Sequence, residues 1–91
     1  MFSVIIPVYN RRDEVAALLK SLADQTVRNF EVIVVDDGST DPCMNECAPY
    51  ADFVKYYFKE NEGRSPARNY GMERAQGSYF VFFDSVFYKK F

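Results

Sequence analysis

The run FEVIVVDDGSTD at residues 30–41 constrains the fold more than any other part of this chain. Its apolar, β-branched first part stops at Asp36 and Asp37, which are followed by a glycine and two hydroxyl residues. An apolar run without alternation is typical of a strand that is covered on both faces of a parallel α/β sheet. Such sheets bind ligands beyond the carboxyl ends of their strands, so we expect the functional site there.

The N-terminal segment has the same arrangement, because an apolar run at residues 2–6 ends in Pro7, Val8, Tyr9 and Asn10. Proline lacks an N–H and fixes φ, so we expect Pro7 at or near the last ladder position of a strand. Tyr9 and Asn10 then lie in the following loop. Two strand ends should therefore present polar and aromatic groups at one rim.

Length and composition limit the class of protein. The chain has 91 residues, enough for one small domain, and is 48% hydrophobic and 18% aromatic. This is more large apolar surface than such a domain buries, so we expect another surface to cover part of it. The net charge of −2 argues against a nucleic-acid partner. We recognise no membrane-spanning run and no secretory signal, which predicts a cytoplasmic location.

The two cysteines do not predict a metal site. Cys43 and Cys47 are four residues apart in a predicted helix, and the chain has no histidine to complete a Cys/His ligand set. A disulfide at this spacing would need distorted geometry. We therefore expect two thiols on one helical face.

Hydrophobic spacing predicts a β-α-β-α-β-α-β series. Val15, Leu18, Leu19 and Leu22 have the i, i+3, i+4, i+7 spacing of an amphipathic helix, which we place at residues 13–25. A crossover of this length joins parallel neighbouring strands with their carboxyl ends together, so Asn10 and Asp37 should be neighbours.

Two further helices and two further strands are predicted in the second half of the chain. Ala67, Gly71 and Ala75 recur every four residues and should give the last helix a face that approaches the sheet closely. We predict a helix at residues 39–48, capped by Ser39, Thr40 or Asp41 and ended by Pro49. A strand at 53–58 follows, and then a helix that is capped by Ser65 and has Pro66 as its first residue. The last element is a buried strand at 79–83.

The groups predicted at the rim suit a nucleotide. An aromatic ring stacks on a base, a carboxylate accepts from base or ribose groups, arginine pairs with phosphate, and carboxylates hold divalent cations. The first β-α turn has no glycine, so the dinucleotide fingerprint is absent, as is a phosphate loop. The rim residues are Tyr9, Asn10, Asp36, Asp37, Ser39, Arg64, Arg68 and Asp84.

Five motifs in order resemble family 2 glycosyltransferases of the GT-A fold. They are VIIPVYN at residues 4–10, SL with QT at 21–26, the run at 30–41, NEG with ARN and a glycine at 61–71, and FDS at 83–85. The resemblance implies the Rossmann-like half of a GT-A fold, a parallel four-stranded sheet flanked by helices. Residues 1–91 would form its nucleotide-sugar-binding part.

The resemblance also implies an activity, the inverting transfer of a sugar from a nucleoside diphosphate sugar, commonly a UDP-sugar, to a hydroxyl of a saccharide or lipid-linked acceptor. A homo-oligomer and a peripheral contact with the inner face of a membrane are compatible with this. Asp37 corresponds to the carboxylate that reads the uracil imide, and Arg68 to a donor-side cation. The implied nucleotide-sugar contacts are Pro7, Val8, Tyr9, Asn10, Asp36, Asp37, Gly38, Arg68, Asp84 and Ser85.

The sequence departs from the family pattern after Asp84, which corresponds to the first acid of the family's D-x-D element. The family implies a divalent metal, Mg or Mn, with Asp84 as a ligand, but Val86 replaces the second acid and puts that site in question. The acceptor site and the general base belong to a part that this chain lacks. We therefore expect no catalytic residue here and no activity of the chain alone. It would be a truncated product, an isolated donor half or joined segments of a longer protein.

Other interpretations stay open. The Asp36–Asp37 segment can be a strand-ending turn, and Arg64 and Arg68 can be a solvated charged face. The chain can also be a non-catalytic module of the same fold that binds a nucleotide or a partner. A phosphoacceptor signalling domain is disfavoured, because it needs an acid where Lys59 ends the third strand.

Overall fold

The computed structural model describes residues 1–25 and 29–83. Strands and helices alternate along the chain as the hydrophobic spacing predicts. The elements are β1 (Phe2–Val8), α1 (Arg12–Ala23), β2 (Phe30–Asp37), α2 (Met44–Cys47), a 3₁₀ helix (Ala48–Tyr50), β3 (Val54–Lys59), α3 (Arg64–Arg74) and β4 (Tyr79–Phe82).

The four strands form one sheet in the order β3-β2-β1-β4, and every neighbouring pair is parallel. Val8 lies opposite Asp36, and Asp37 lies opposite Lys59. The carboxyl ends of β1, β2 and β3 therefore meet along one side of the sheet, which we call the carboxyl edge. The predicted α/β class and the parallel four-stranded sheet are confirmed.

The central strands are buried on both faces, which explains their unbroken apolar sequences. On one face, Val32 and Val34 pack in a cluster with Val15 and Leu19 of α1. On the other face, residues of β1 and β2 pack against α3. Seven of the eight β2 residues are buried, and Phe30 is partly buried. A strand in this position has no solvent face and needs no polar alternation.

Small residues let α3 approach the sheet, as predicted for Ala67 and Gly71, whereas Ala75 follows the helix as its C-cap in an extended conformation. Ala67 and Gly71 are buried, and a Cβ atom on Gly71 would lie 2.6 Å from Ile5 Cγ2 and 3.3 Å from Val35 Cγ2. A side chain at this position would therefore push the helix away from the sheet.

Two predicted helix starts are wrong. The second helix spans only Met44–Cys47 and has Cys43 as its N-cap, and Pro49 lies within the 3₁₀ helix that follows. No side chain of residues 39–41 caps it. The third helix begins at Arg64 and not at Pro66, with Gly63 as its N-cap at φ 103°. In both cases a carboxylate from β2 holds the N-cap, as described below.

The prediction of a buried fourth strand is also wrong. Among the strands of the described residues, β4 pairs with β1 alone and is the last of the sheet, and Tyr79 and Phe80 are 63% and 44% exposed. The ring of Phe2 lies 5.4 Å from that of Tyr79 and is also exposed. Part of the aromatic surface indicated by the composition therefore lies along this edge. Among the helices of residues 1–25 and 29–83, none is long and apolar enough to cross a membrane.

Candidate functional site

Three loops leave the carboxyl edge, at residues 9–11 after β1, 38–43 after β2 and 60–63 after β3. Asn10 joins the first two. Its backbone has φ 55°, a left-handed conformation that asparagine tolerates. The Asn10 N–H donates to Ser39 Oγ at 2.9 Å, and Asn10 Oδ1 accepts from the Thr40 hydroxyl and the Asp41 N–H. The first two strands lie side by side as predicted, and these hydrogen bonds of Asn10 go to residues 39–41 of the second loop, past the predicted neighbour Asp37.

Asp36 shapes the loop after β2 from inside. It has no exposed surface, and its Oδ1 accepts the Ser39 N–H at 3.2 Å. Its Oδ2 accepts the Cys43 N–H at 3.1 Å and the Tyr56 hydroxyl at 2.7 Å. Burial, and then the bond to Asp36, raise the pKa of Tyr56, which keeps the phenol protonated as a donor. The N-cap residue of α2, Cys43, makes no side-chain cap hydrogen bond, and the Asp36 carboxylate accepts its N–H instead.

The two thiols beside Asp36 are free and buried, as predicted. The hydrogen bond to Cys47, burial and the nearby Asp36 carboxylate together raise the pKa of Cys43. The thiol of Cys43 therefore stays protonated and serves as packing.

Asp37 holds the loop after β3. Its Oδ1 accepts the Glu62 N–H and its Oδ2 accepts the Gly63 N–H, both at 2.9 Å. Its main-chain oxygen accepts the Asn61 side-chain amide at 2.7 Å. Because Gly63 is the N-cap of α3, Asp37 also sets where that helix begins. Asp37 has no exposed surface, so a ligand reaches it only when this loop moves.

Lys59 balances the charge of Asp37. Its side chain is 10% exposed, and its Nζ lies 3.5 Å from Asp37 Oδ1 and 2.7 Å from Glu62 Oε1. Burial lowers the pKa of Lys59, but Glu62 and Asp37 outweigh this, so the pKa is raised overall and the ammonium group is retained. The loop after β3 is therefore held by charge as well as by backbone hydrogen bonds.

The other predicted contacts occupy different positions around the edge. Pro7 and Val8 are buried in β1, and Tyr9 is partly buried at the start of the first loop. Gly38 has φ 69°, and a Cβ atom there would lie 2.5 Å from the Asn61 nitrogen, so glycine lets the second and third loops pass each other.

The predicted cations lie on α3. Arg64 is its exposed first residue, and the partly buried Arg68 has its guanidinium 4.3 Å from the centre of the Phe82 ring. Arg68 therefore lies next to β4. Asp84 and Ser85 lie outside the described residues, and so does the metal ligand expected from the family. Within residues 1–25 and 29–83, no three His, Cys, Asp or Glu side chains are grouped to hold a metal ion.

Sequence reasoning missed the partners of the two carboxylates. Tyr56 has no signal in the sequence beyond its place in an aromatic strand, and Lys59 stands out only as the residue that ends this strand. Residues 61–63 form the family motif NEG, which does not by itself predict that they donate hydrogen bonds to Asp37. These contacts join residues 20 to 26 positions apart, beyond the reach of local patterns.

A cavity of about 360 Å³ lies at the opposite edge of the sheet, where its lining includes Phe30, Glu31, Phe53 and Lys55. Glu31 Oε2 already accepts from the Ser3 hydroxyl and from the backbone N–H groups of residues 76 and 77. We place the candidate site at the carboxyl edge, because three loops with aromatic and polar groups converge there, as in other parallel α/β sheets.

The fold and this edge define a parallel α/β domain with its candidate ligand site beyond the strand ends. A family model described as Glycosyl transferase family 2 matches residues 3–85, nearly the whole chain. The chain belongs to glycosyl transferase family 2, as its motifs indicated.

Named relatives agree with this assignment. An uncharacterized glycosyltransferase of Rickettsia conorii is 45% identical over 91 residues. The structure of S. aureus TarS 1-349 in complex with UDP superimposes with a TM-score of 0.82 at 38% identity. A mannosyltransferase from Pyrobaculum calidifontis, in complex with GDP-Man and Mn²⁺, gives a TM-score of 0.81 at 26% identity. The GT-A fold of these neighbours confirms the predicted fold class.

The relatives are much longer than this chain. The alignments cover 96%, 92% and 91% of the chain, but only 15% of the Rickettsia protein, 27% of the TarS chain and 26% of the mannosyltransferase chain. The similarity therefore concerns one part of each relative.

Proposed function

We propose that this chain is the donor-binding part of a glycosyltransferase and binds a nucleoside diphosphate sugar, a UDP-sugar in particular, at the carboxyl edge. The proposal rests on one observation. Hydrogen bonds of Asn10, Asp36 and Asp37 hold the three loops together at this edge. A site assembled before the ligand arrives loses less conformational entropy on binding. Support comes from the neighbouring TarS structure, which holds UDP.

The proposed roles follow from position. Tyr9, partly buried in the first loop, offers a ring face to the base, with Pro7 and Val8 as the buried support behind it. Arg68 on α3 supplies positive charge for the diphosphate. Asp37 and Gly38 are assigned to the base end from their place at the end of β2, and Asp84 and Ser85 are assigned to the ribose end from the family motif alone. Of these, Asp37 acts on the base end by holding the loop after β3 in place through the N–H groups of Glu62 and Gly63.

The proposed reaction is an inverting transfer. The acceptor hydroxyl gives up its proton to a general base and attacks the anomeric carbon, while the bond to the nucleoside diphosphate breaks. We assign neither the base nor the acceptor site to a residue of this chain, which matches only 15% of the Rickettsia protein and 27% of the TarS chain. A saccharide or lipid-linked acceptor is proposed from the family alone.

A divalent metal, Mg²⁺ or Mn²⁺, is proposed as the cofactor that neutralises diphosphate charge, with Asp84 as its ligand. The neighbouring mannosyltransferase holds Mn²⁺ with GDP-Man. In this chain Val86 stands in place of a second acid, so metal affinity should be low without the donor.

Calorimetric titration of the chain with UDP tests the proposal. We expect saturable binding, and Asp37→Ala should weaken it by about 1–3 kcal/mol, because the loop after β3 loses its two backbone anchors. Glu73→Ala, which changes an exposed carboxylate on α3, should leave the affinity unchanged. Equal affinity of the wild type and Asp37→Ala would remove Asp37 from the site, and no binding of UDP by the wild type would overturn the proposal.

A second candidate function is a non-catalytic nucleotide- or partner-binding module, which Val86 favours. The two functions differ in their response to metal. A donor site of the enzyme should bind UDP more tightly with Mn²⁺ than with EDTA, whereas the module should show the same affinity in both. The same titration, repeated with Mn²⁺ and with EDTA, separates them.

A further inference from the structure

We propose that Tyr56 is a positioning residue of the donor site and acts through Asp36 on the loop that contains Tyr9 and Asn10. This inference rests on the proposed function, because it names a residue that holds the same site in place. Tyr56 belongs to β3 and reaches the first loop through two intermediate residues.

The first link is the hydrogen bond from the Tyr56 hydroxyl to Asp36 Oδ2, at 2.7 Å. Asp36 is fully buried, so water cannot replace this donor if it is removed. The raised pKa of Tyr56 agrees with a phenol that stays protonated against the carboxylate. Tyr56 therefore fixes how the Asp36 side chain is oriented.

The second link runs from Asp36 to Asn10. Asp36 Oδ1 accepts the N–H of Ser39, and Ser39 Oγ in turn accepts the N–H of Asn10 at 2.9 Å. Asn10 has a φ of 55°, a left-handed conformation that is still less favourable than the ordinary regions even for asparagine, and its hydrogen bonds offset this cost. The loop that carries Tyr9 is therefore fixed by a chain of hydrogen bonds that begins on β3.

Buried polar networks of this kind are cooperative, because each bond orients the next group. Removal of the first donor should thus be felt at Asn10, which is linked to Tyr56 through Asp36 and Ser39. Tyr57 offers a matched comparison. Its ring packs against Tyr70 with centroids 5.9 Å apart, a contact that phenylalanine keeps.

The experiment compares Tyr56→Phe with Tyr57→Phe in the whole 91-residue chain. Amide resonances are first recorded without ligand, and UDP affinity is then measured by calorimetry. We expect Tyr56→Phe to shift the amides of Ser39, Cys43 and Asn10 and to weaken UDP binding by about three- to tenfold. Tyr57→Phe should change neither.

Ser39→Ala provides a second route to the same link, since it removes the acceptor of the Asn10 N–H and leaves Tyr56 in place. It should shift the Asn10 amide and weaken UDP binding even if Tyr56→Phe fails to fold. The inference is overturned if the Asn10 amide and the UDP affinity of the folded variants match those of the wild type. Failure of the wild type to bind UDP would overturn the proposed function instead, and the ligand-free amide shifts would still decide whether Tyr56 acts on Asn10.

Discussion

At the scale of single residues, the paired acids of β2 serve two different loops. Neighbouring residues of a strand point to opposite faces of the sheet, so Asp36 and Asp37 cannot act on one group together. Asp36 turns towards α2 and holds the Cys43 N–H, while Asp37 turns towards α3 and holds the Gly63 N–H. An acid pair in the sequence therefore becomes two separate anchors in the structure.

Gly71 is expected to be intolerant of any side chain. Gly71→Ala should lower the free energy of unfolding by about 1–2 kcal/mol, because overpacking against Ile5 outweighs the better helix propensity of alanine. Urea denaturation measures this. Asn69→Ala, at an exposed position of the same helix, should leave stability unchanged or raise it. A stable Gly71→Ala variant would mean that α3 moves away from the sheet at little cost.

At the scale of elements, strands could be predicted better than helix starts. The apolar run of β2 reflects its own burial, which is a local property of the sequence. The starts of α2 and α3 depend instead on Asp36 and Asp37, which lie 7 and 26 residues before the N-caps they hold. The contact between Asp37 and Gly63 needs β2 and β3 to have paired first, and the contact between Asp36 and Cys43 spans a loop that shows no cap pattern at Cys43. Local patterns therefore placed Ser39 and Ser65 as caps where neither serves.

Glu31 joins two elements at the other edge of the sheet and makes stability depend on pH. Burial raises the pKa of Glu31, but hydrogen bonds from Ser3 and from the N–H groups of residues 76 and 77, with the charge of Lys55, lower it overall. A carboxyl group with a lowered folded pKa stabilises the fold above its unfolded value of 4.5, and this is lost as the pH falls through the folded pKa.

Glu31→Gln should therefore be less stable than the wild type by about 1–3 kcal/mol at pH 7. The difference should shrink as the pH falls below about 4.5, because the wild-type carboxyl then becomes protonated as well. Thermal unfolding of both proteins from pH 7 to pH 3 measures it. Glu73→Gln, exposed on α3, serves as the control and should follow the wild type throughout. A constant difference across this range would show that the charge of Glu31 contributes nothing.

At the scale of the whole molecule, the order of elements and the location of the candidate site followed from the sequence, while the exposure of the last strand did not. The sequence of β4 resembles that of a buried strand, yet Tyr79 is 63% exposed, and within residues 1–25 and 29–83 β4 pairs with β1 alone. An unbroken apolar sequence indicates that a strand is suited to burial against other elements. It does not indicate whether those elements are present among the described residues.

The central claim is that a nucleotide binds at the carboxyl edge and not in the cavity at the opposite edge. Titration of the isotope-labelled chain with UDP, followed through its backbone amide resonances, tests this most directly. We predict saturable shifts at Tyr9, Asn10, Ser39 and Glu62, with the amides of Phe53 and Lys55 beside the cavity unchanged. Shifts confined to the cavity residues, or no shifts at saturating UDP, would contradict the claim.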